Sequence, residues 1–413
     1  MWKGIIIDEP ALNFKRTLII VSRKMRRMNN LVTLFSTMFA FFFGIFITNM
    51  LSSIDKCPTQ KSGIAKMEPH PEIFLIILVL SAPGNHQRRQ AIRDTWLRLG
   101  KPLMQPYYPE SNIYLPQYDE QGFLQHQATP EQAQSTKNFK EWKEQFERGE
   151  KEAETIRRNM KVKHSFAIGT NNLDTALRRD LNTEHAHHND LLLLPRLQDT
   201  YTNLTEKLLH SIDALKNHYD FSYMLKVDDD SYVKLDYLLN ELISYDRKLI
   251  RNAAKFNEQP LPELYWGYFN GRATIKTKGQ WRESHYFLAQ HYVVYALGGG
   301  YVISRRLVEF IEANSHHLNT YISEDVSMGT WLAPLRHVYR RHDIRFDTGY
   351  MPRPCQSYHL VLHKRNETQF RDLFAGKLCT FVGTNEQKLR RPVEYLYDWH
   401  KPADKCCNSI ASI

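Results

Sequence analysis

Three adjacent carboxylates, Asp228, Asp229 and Asp230, follow directly on the strand-like stretch Met224-Leu225-Lys226-Val227. Side chains alternate along a strand, so Asp228 and Asp230 point to one side and Asp229 to the other. Like charges this close repel unless a cation lies between them. A hard divalent ion would relieve the repulsion, and carboxylates together with substrate phosphates are its usual ligands. The plainer alternative is an acidic turn in which Asp230 or Ser231 caps the next helix.

A second acidic pair, Glu324-Asp325, stands between Ser323 and Val326, ahead of the apolar stretch 328–335. The dipole of a starting helix favours carboxylates there; the functional alternative makes one of them a general base at the mouth of a site. The run Ala296-Leu297-Gly298-Gly299-Gly300-Tyr301 lets backbone approach a ligand closely or form a bulge. It is no phosphate-binding P-loop, because no Gly-Lys-Ser/Thr follows. His363 closes the stretch Leu360-Val361-Leu362 and reads either as a ligand or as a structural histidine. His185, His187 and His188 read as a solvated loop.

Positioning such groups requires a scaffold. Ile73 to Leu80 is a continuous apolar octet, which suits a strand buried on both faces of a mainly parallel sheet. His164 to Ile168, Leu191 to Leu194 and Tyr223 to Val227 are further strands. Leu204, Leu208, Ile212 and Leu215 recur at helical spacing, and Lys234 to Tyr245 gives another amphipathic helix. Strands alternating with helices predict an α/β domain. Ligands of such sheets bind beyond the carboxyl ends of the strands, where the aspartates fall.

The chain has 413 residues and a formal net charge of +10. The first 27 residues hold seven Lys or Arg against Asp8 and Glu9, leaving +5 on the rest. Half of the excess therefore belongs to the N-terminus, and what remains asks for no nucleic-acid partner. Leu31 to Leu51 follows, 21 residues without a charged side chain, long enough to cross a bilayer as a helix. Basic residues before it predict a cytoplasmic N-terminus and a lumenal bulk. The expected organisation is a cytoplasmic tail 1–30, a signal anchor 31–51, a stem 52–71 and a lumenal domain 72–413. A polar insertion spans about 101–160.

Four of the five cysteines, Cys355, Cys379, Cys406 and Cys407, fall near the C-terminus. An even set in an oxidising compartment reads as disulfides. Bonding Cys406 to Cys407 would close a strained ring between neighbours, which favours crossed pairing to Cys355 and Cys379. Cys57 is left over, free or linking two chains. The sequons Asn203-Leu204-Thr205 and Asn366-Glu367-Thr368 are glycosylation candidates.

In order and combination, the segment Arg88 to Trp96, the aspartate triplet with Ser231-Tyr232-Val233, the triple glycine and Glu324-Asp325-Val326 resemble the β-1,3-glycosyltransferase family (glycosyltransferase family 31), over about Ile73 to Trp399. Tyr265 to Arg272, Tyr295 to Ser304, Ser323 to Pro334, Arg345 to Thr348 and the ending Tyr397-Asp398-Trp399 with Cys406-Cys407 are similar to its galactosyltransferases of the proteoglycan linkage region. The long insertion and the extended tail, with Met25 and Met28 as alternative starts, depart from the family pattern.

The resemblance implies a GT-A type nucleotide-sugar domain in the Golgi membrane. It implies UDP-galactose as donor, manganese as cofactor and transfer to O3 of galactose in galactosyl-xylosyl-serine, with inversion. Asp230 would hold the metal with His363; Asp228, Asp229, Arg89 and Arg93 would lie on the nucleotide side, although Arg89 and Arg93 also suit salt bridges. Asp325 would be the base, and Glu324, Trp266, Gly299 and Gly300 would face the acceptor. Self-association or association with other linkage-region transferases is the partner expectation. A β-1,3-N-acetylhexosaminyltransferase, a non-catalytic glycan-binding relative and a glycosaminoglycan-binding protein are the alternatives.

Overall fold

The computed structural model describes residues 72–100, 160–253, 261–351, 355–356, 358–377 and 395–409, with parts of 30–43 and the short pair 117–118 and 124–125. The chain divides into two compact units, Met1–Lys66 and Met67–Ile413. In the first, residues 35–43 are helical and Phe35, Phe39 and Phe41 are exposed. The remainder of the tail, anchor and stem expectations lies outside the described residues, as does most of the 101–160 insertion. Among the described residues no helix is long and apolar enough to cross a membrane.

The second unit is built on a seven-stranded sheet. Its first half runs β1 (Ile73–Leu80), α1 (His86–Asp94), β2 (Val162–Gly169), α2 (Thr175–His188), β3 (Leu191–Leu194), α3 (Leu204–His218) and β4 (Phe221–Asp228). These four strands are parallel. Every residue of β1 is buried, because helices cover both faces. Leu75, Ile77 and Val79 pack with Ala91 and Ile92 of α1. Ile76, Leu78 and Leu80 pack with Leu208, Ile212 and Leu215 of α3. The octet and the helical spacing thus account for this half directly.

His185, His187 and His188 form the last turn of α2, not a loop. Basic side chains at a helix C-terminus complement the partial negative charge of its free carbonyls. The helix stops at Asn189, which takes a left-handed φ of 51°.

A short strand β5 (Tyr232–Val233) and α4 (Leu235–Ala253) lead to β6 (Glu263–Asn270), β7 (Tyr295–Ser304), α5 (Arg305–Asn314), α6 (Glu324–Leu332) and β8 (Val338–His342). The order across the sheet is β8-β6-β7-β4-β1-β2-β3. Strand β7 is antiparallel to both neighbours, while β8 and β6 are parallel. The sheet is therefore mixed and mostly parallel. Because β7 is reversed, its glycine-rich start lies beside the carboxyl end of β4, with Gly300 opposite Val227.

Two further strands, β9 (Phe346–Asp347) and β10 (Val361–Leu362), join β5 in a small sheet of order β9-β10-β5. Leu362 pairs with Tyr232, which carries the next residue, His363, back to the aspartates. Helix α7 (Glu367–Phe374) begins at Asn366, whose side chain closes a capping box with Gln369. A terminal hairpin of β11 (Tyr395–Tyr397) and β12 (Cys407–Ser409) completes the unit.

Candidate active site

Asp228 ends β4 and Asp230 lies in the turn before β5, so both meet His363 at the exit of β10. The three offer ligand atoms that all lie within 4.8 Å of one another. His363 Nε2 is 3.0 Å from Asp230 Oδ1 and 3.4 Å from Asp228 Oδ2. Yet Nε2 and Asp230 Oδ1 are buried without a hydrogen-bond partner. Buried polar atoms are rarely left so, and an ion is one explanation. Nδ1 lies 3.2 Å from the Gly349 carbonyl; donating its proton there leaves Nε2 as the ligand atom. Two carboxylates and one imidazole suit a divalent cation such as manganese or magnesium, whose remaining ligands are commonly substrate phosphates.

The charges agree. Burial lowers the pKa of His363, but the adjacent carboxylates of Asp228 and Asp230 outweigh it and hold the imidazole up at about 9. Burial pushes the Asp228 carboxyl up, and Lys226 and His363 bring it well below the usual carboxylate range. Asp230 is lowered by His363 and Lys364 against burial and the Asp228 charge. The two carboxylates are thus held ionised, and the imidazole alone carries a proton that a metal ion would displace.

Asp229 points the other way, as strand alternation requires. It accepts from Ser81 Oγ at 2.7 Å, Asn85 Nδ2 at 2.8 Å and Arg88 Nη1 at 3.1 Å. Its role is to tie the end of β4 to the start of α1, which corrects the expectation of a nucleotide contact.

Lys226, buried two residues before Asp228, is the residue that sequence reading passed over. Its Nζ donates to Asp228 Oδ1 at 2.9 Å, to the Gly298 carbonyl at 2.6 Å and to Glu324 Oε1. Burial disfavours its charge, but Asp228 and Glu324 raise it above the ordinary lysine range. A cation inside an apolar strand, two positions from an acid, was the available signal.

Glu324 and Asp325 start α6 and divide their roles. Glu324 is buried, and Tyr301 Oη donates to its Oε2 at 3.1 Å. Burial raises its carboxyl; Lys226 opposes this and Asp325 and Asp228 add to it, leaving it at about 7. This interior position corrects its assignment to the acceptor. Asp325 is half-buried and is aimed by the Gly298 N–H on Oδ2 at 2.9 Å and the Val326 N–H on Oδ1 at 2.8 Å. Burial raises its pKa against the pull of Lys226 and the two N–H groups. A carboxylate held by backbone, partly open to solvent and above its ordinary pKa is suited to accept a proton.

The glycines explain themselves by packing. A Cβ on Gly299 would stand 2.6 Å from the His363 ring, one on Gly298 2.7 Å from Glu324 Oε1, and one on Gly300 3.0 Å from Val361. They let β7 pass between the histidine and the acids; the structure gives Gly299 and Gly300 these protein neighbours in place of the expected acceptor contact.

Other expectations are corrected as well. Arg89 is fully buried and grips Glu184 through Nε and Nη2, and Arg93 binds Glu184 and Asp190. Both guanidinium groups hold α1 to α2 and the start of β3, so neither reaches for a nucleotide. Trp266 is buried, donates to Asp343 Oδ2 at 2.9 Å and packs edge-on against Phe346; it belongs to the core and not to an acceptor surface. Cys355 is disulfide-bonded, but Cys406 and Cys407 are not, and lie buried side by side. Crossed pairing of those two is therefore not what the structure has; Cys57 and Cys379 lie outside the described residues. Asn203 and Asn366 both sit at helix starts, and Asn366 uses its side-chain oxygen as a cap.

Three aromatic rings near these acids were also missed. Tyr201 and Tyr350 are 42% and 64% exposed, and each meets the half-buried Trp281 edge-on, at 6.4 and 4.9 Å between centroids. Burial pushes the Tyr201 phenol up to about 12, and the charges of Asp325, Asp228 and Glu324 add to the rise. Tyr350 follows Gly349, whose carbonyl faces His363. Scattered in sequence, these rings carry no spacing by which to find them.

Residues 142–342 match the Galactosyltransferase protein family. The chain is 37% identical over 351 residues to mouse beta-1,3-galactosyltransferase 6, covering 84% of this chain and 85% of that protein. It is 33% identical over 153 residues to Danio rerio UDP-GalNAc:beta-1,3-N-acetylgalactosaminyltransferase 2, covering 37% of this chain and 28% of that protein. An Arabidopsis thaliana probable beta-1,3-galactosyltransferase 5 is 24% identical over 286 residues, with 68% and 56% covered. The likeness to the mouse protein runs through both halves of the sheet, and its extent places the chain: it belongs to the galactosyltransferase family, within glycosyltransferase family 31, and is a galactosyltransferase that works on a nucleotide-sugar donor and a glycan acceptor.

Proposed function

We propose that the chain is an inverting, manganese-dependent β-1,3-galactosyltransferase with a GT-A type domain. Its donor is UDP-galactose and its acceptor O3 of galactose in the galactosyl-xylosyl-serine linkage of proteoglycans. The observation that carries this is the pairing of a buried, unsatisfied Asp230–His363 set with a backbone-aimed Asp325 across the glycines of β7. The extended similarity to mouse beta-1,3-galactosyltransferase 6 supports the bond and the donor.

Bound between Asp230, His363 and Asp228, manganese would hold the diphosphate and offset the charge that builds on departing UDP. Asp325 takes the proton of the acceptor hydroxyl as that oxygen attacks the anomeric carbon from the face opposite UDP. One displacement converts an α-linked donor into a β-linked product. Lys226 keeps Asp228 ionised and holds Glu324 in place without touching the sugar. Tyr201, Trp281 and Tyr350 stand beside the base, where an aromatic face can stack on an acceptor pyranose and shield the reaction from water.

We place the enzyme in the Golgi membrane as a single-pass type II protein, anchored by 31–51. Glycosylation at Asn203 and Asn366 accords with a lumenal domain. Purified protein should transfer radiolabelled galactose to a galactosyl-xyloside, lose that activity on chelation and regain it with Mn²⁺. Preferred transfer of N-acetylgalactosamine, the sugar named for the Danio rerio relative, would overturn the donor assignment. Protease treatment of sealed microsomes should trim only a short N-terminal piece; digestion of the bulk would overturn the topology.

A further inference from the structure

Cys406 and Cys407 take no part in the site described above. They are 1% and 3% exposed, and their Sγ atoms lie 2.7 Å apart, inside the ~3.5–4.0 Å at which non-bonded heavy atoms settle. Both sulfurs rest on Gly271, the residue after β6. A Cβ there would stand 2.3 Å from Cys407 Sγ and 2.7 Å from Cys406 Sγ, so glycine is what admits the pair. The strand partner of Cys407 is Tyr397, whose hydroxyl donates to the Phe269 carbonyl at 2.5 Å. The two thiols are thus enclosed on one side by the end of β6 and on the other by their own hairpin.

Their protons are shared unequally. The hydrogen bond from Cys407 lowers the Cys406 pKa against burial, with help from Arg272; the same bond, with burial, raises Cys407. One sulfur is the incipient nucleophile and the other holds the proton. Cys355 is bonded elsewhere and does not compete. Among the described residues the cluster able to hold a metal ion is Asp228, Asp230 and His363, apart from this pair.

We infer that Cys406 and Cys407 form a disulfide with each other in the mature protein, a small ring closed across one peptide bond that seals the C-terminal hairpin onto Gly271. The inference rests on the lumenal reading for its oxidant, a dithiol oxidoreductase or glutathione in its disulfide form. The Cys406 thiolate attacks one sulfur of that disulfide and expels the other as a thiolate. Cys407 then loses its proton, and its sulfur attacks Cys406 Sγ and expels the second thiolate. Two thiols are oxidised, one external disulfide is reduced, and its two thiolates take up the two protons.

The test is mass spectrometry of the full-length protein made in a secretory host, alkylated without reductant and cut after Lys405. The expected peptide 406–413 carries no alkyl group, is lighter than the dithiol by two hydrogens, and takes up two alkyl groups after reduction. Two alkyl groups without reductant, or a link to a peptide holding Cys57, Cys355 or Cys379, would overturn the assignment. Galactosyl transfer by the same preparation is read separately, so failure of one reading is distinguishable from failure of the other.

Discussion

Lys226 and Glu324 meet across a face of the central sheet, both buried, with Nζ of the one donating to Oε1 of the other. The same ammonium reaches Asp228 at 2.9 Å, so one cation joins the strand that ends at Asp228 to the helix that bears Asp325. Removing one member of such a buried set leaves its partners charged and unpaired, at a cost of about 3–5 kcal/mol. Lys226→Met should therefore lower the unfolding free energy read from urea denaturation by that amount, and adding Glu324→Gln should recover part of it. A Lys226→Met variant as stable as the parent would show the contact to be unimportant.

Asp325→Asn keeps size and shape but cannot accept a proton. Turnover should fall about 10²–10⁴-fold while UDP and Mn²⁺ binding stay close to parental. Glu324→Gln should instead act through stability, because its contacts are Lys226 and Tyr301. The assignment fails if the Asn variant turns over normally while a folded Gln variant is dead.

His363 ties metal affinity to pH. Its folded pKa of about 9 lies above the ordinary 6.5. In metal-free protein its ion pairing with Asp228 and Asp230 thus stabilises fully below about pH 6.5 and is lost as pH rises through about 9. Mn²⁺ must displace that proton, so affinity should rise roughly tenfold per pH unit up to about pH 9. Calorimetry in buffers of different ionisation heat should show about one proton released per ion near neutral pH. Binding without proton release would mean that the imidazole is already neutral or is not a ligand.

Gly299→Ala places a methyl carbon 2.6 Å from the His363 ring. The ring or the strand must yield, and Mn²⁺ affinity should drop about 10–100-fold, the usual effect of disturbing the support of a ligand. Titration followed by Mn²⁺ electron paramagnetic resonance reads this directly. Unchanged affinity, with a raised KM for the glycan, would return Gly299 to the acceptor side.

Trp281→Ala should raise the KM for the galactosyl acceptor about 2- to 13-fold, on the order of the 0.5–1.5 kcal/mol of an aromatic contact. Slow hydrolysis of UDP-galactose without acceptor should continue, and Trp281→Phe should recover much of the loss. An equal loss of hydrolysis would place Trp281 on the donor.

The strands Ile73–Leu80 and Leu191–Leu194 were readable to the residue, because continuous apolar runs bounded by polar residues leave little choice of ends. Strand period alone put Asp228 and Asp230 on one side and turned Asp229 away. The reversal of β7 was not readable: its glycine run carries no period, and its partners lie far off in sequence. Arg89 and Arg93 read as nucleotide contacts or as salt bridges, and the choice was not legible because the acids they grip sit 91 to 97 residues away. Cys406 and Cys407 were judged by chain geometry between neighbours, which says nothing of Gly271.

The antiparallel placement of β7 has a further effect. Strand β6 ends, and β7 begins, at the same edge of the sheet as the carboxyl end of β4, so residues 271–294 form a hairpin connection on that edge. Glu283 Oε2 accepts from the Ile322 N–H at 2.8 Å, which fastens this connection just ahead of the helix that bears Asp325. Lengthening a surface connection costs little, about 0.6 kcal/mol per doubling. Insertions near Trp281 can thus accumulate without shifting the register that aligns Asp228, Gly299 and His363. The connection beside Asp325 can vary in length while the strands that place Asp228, Gly299 and His363 stay fixed.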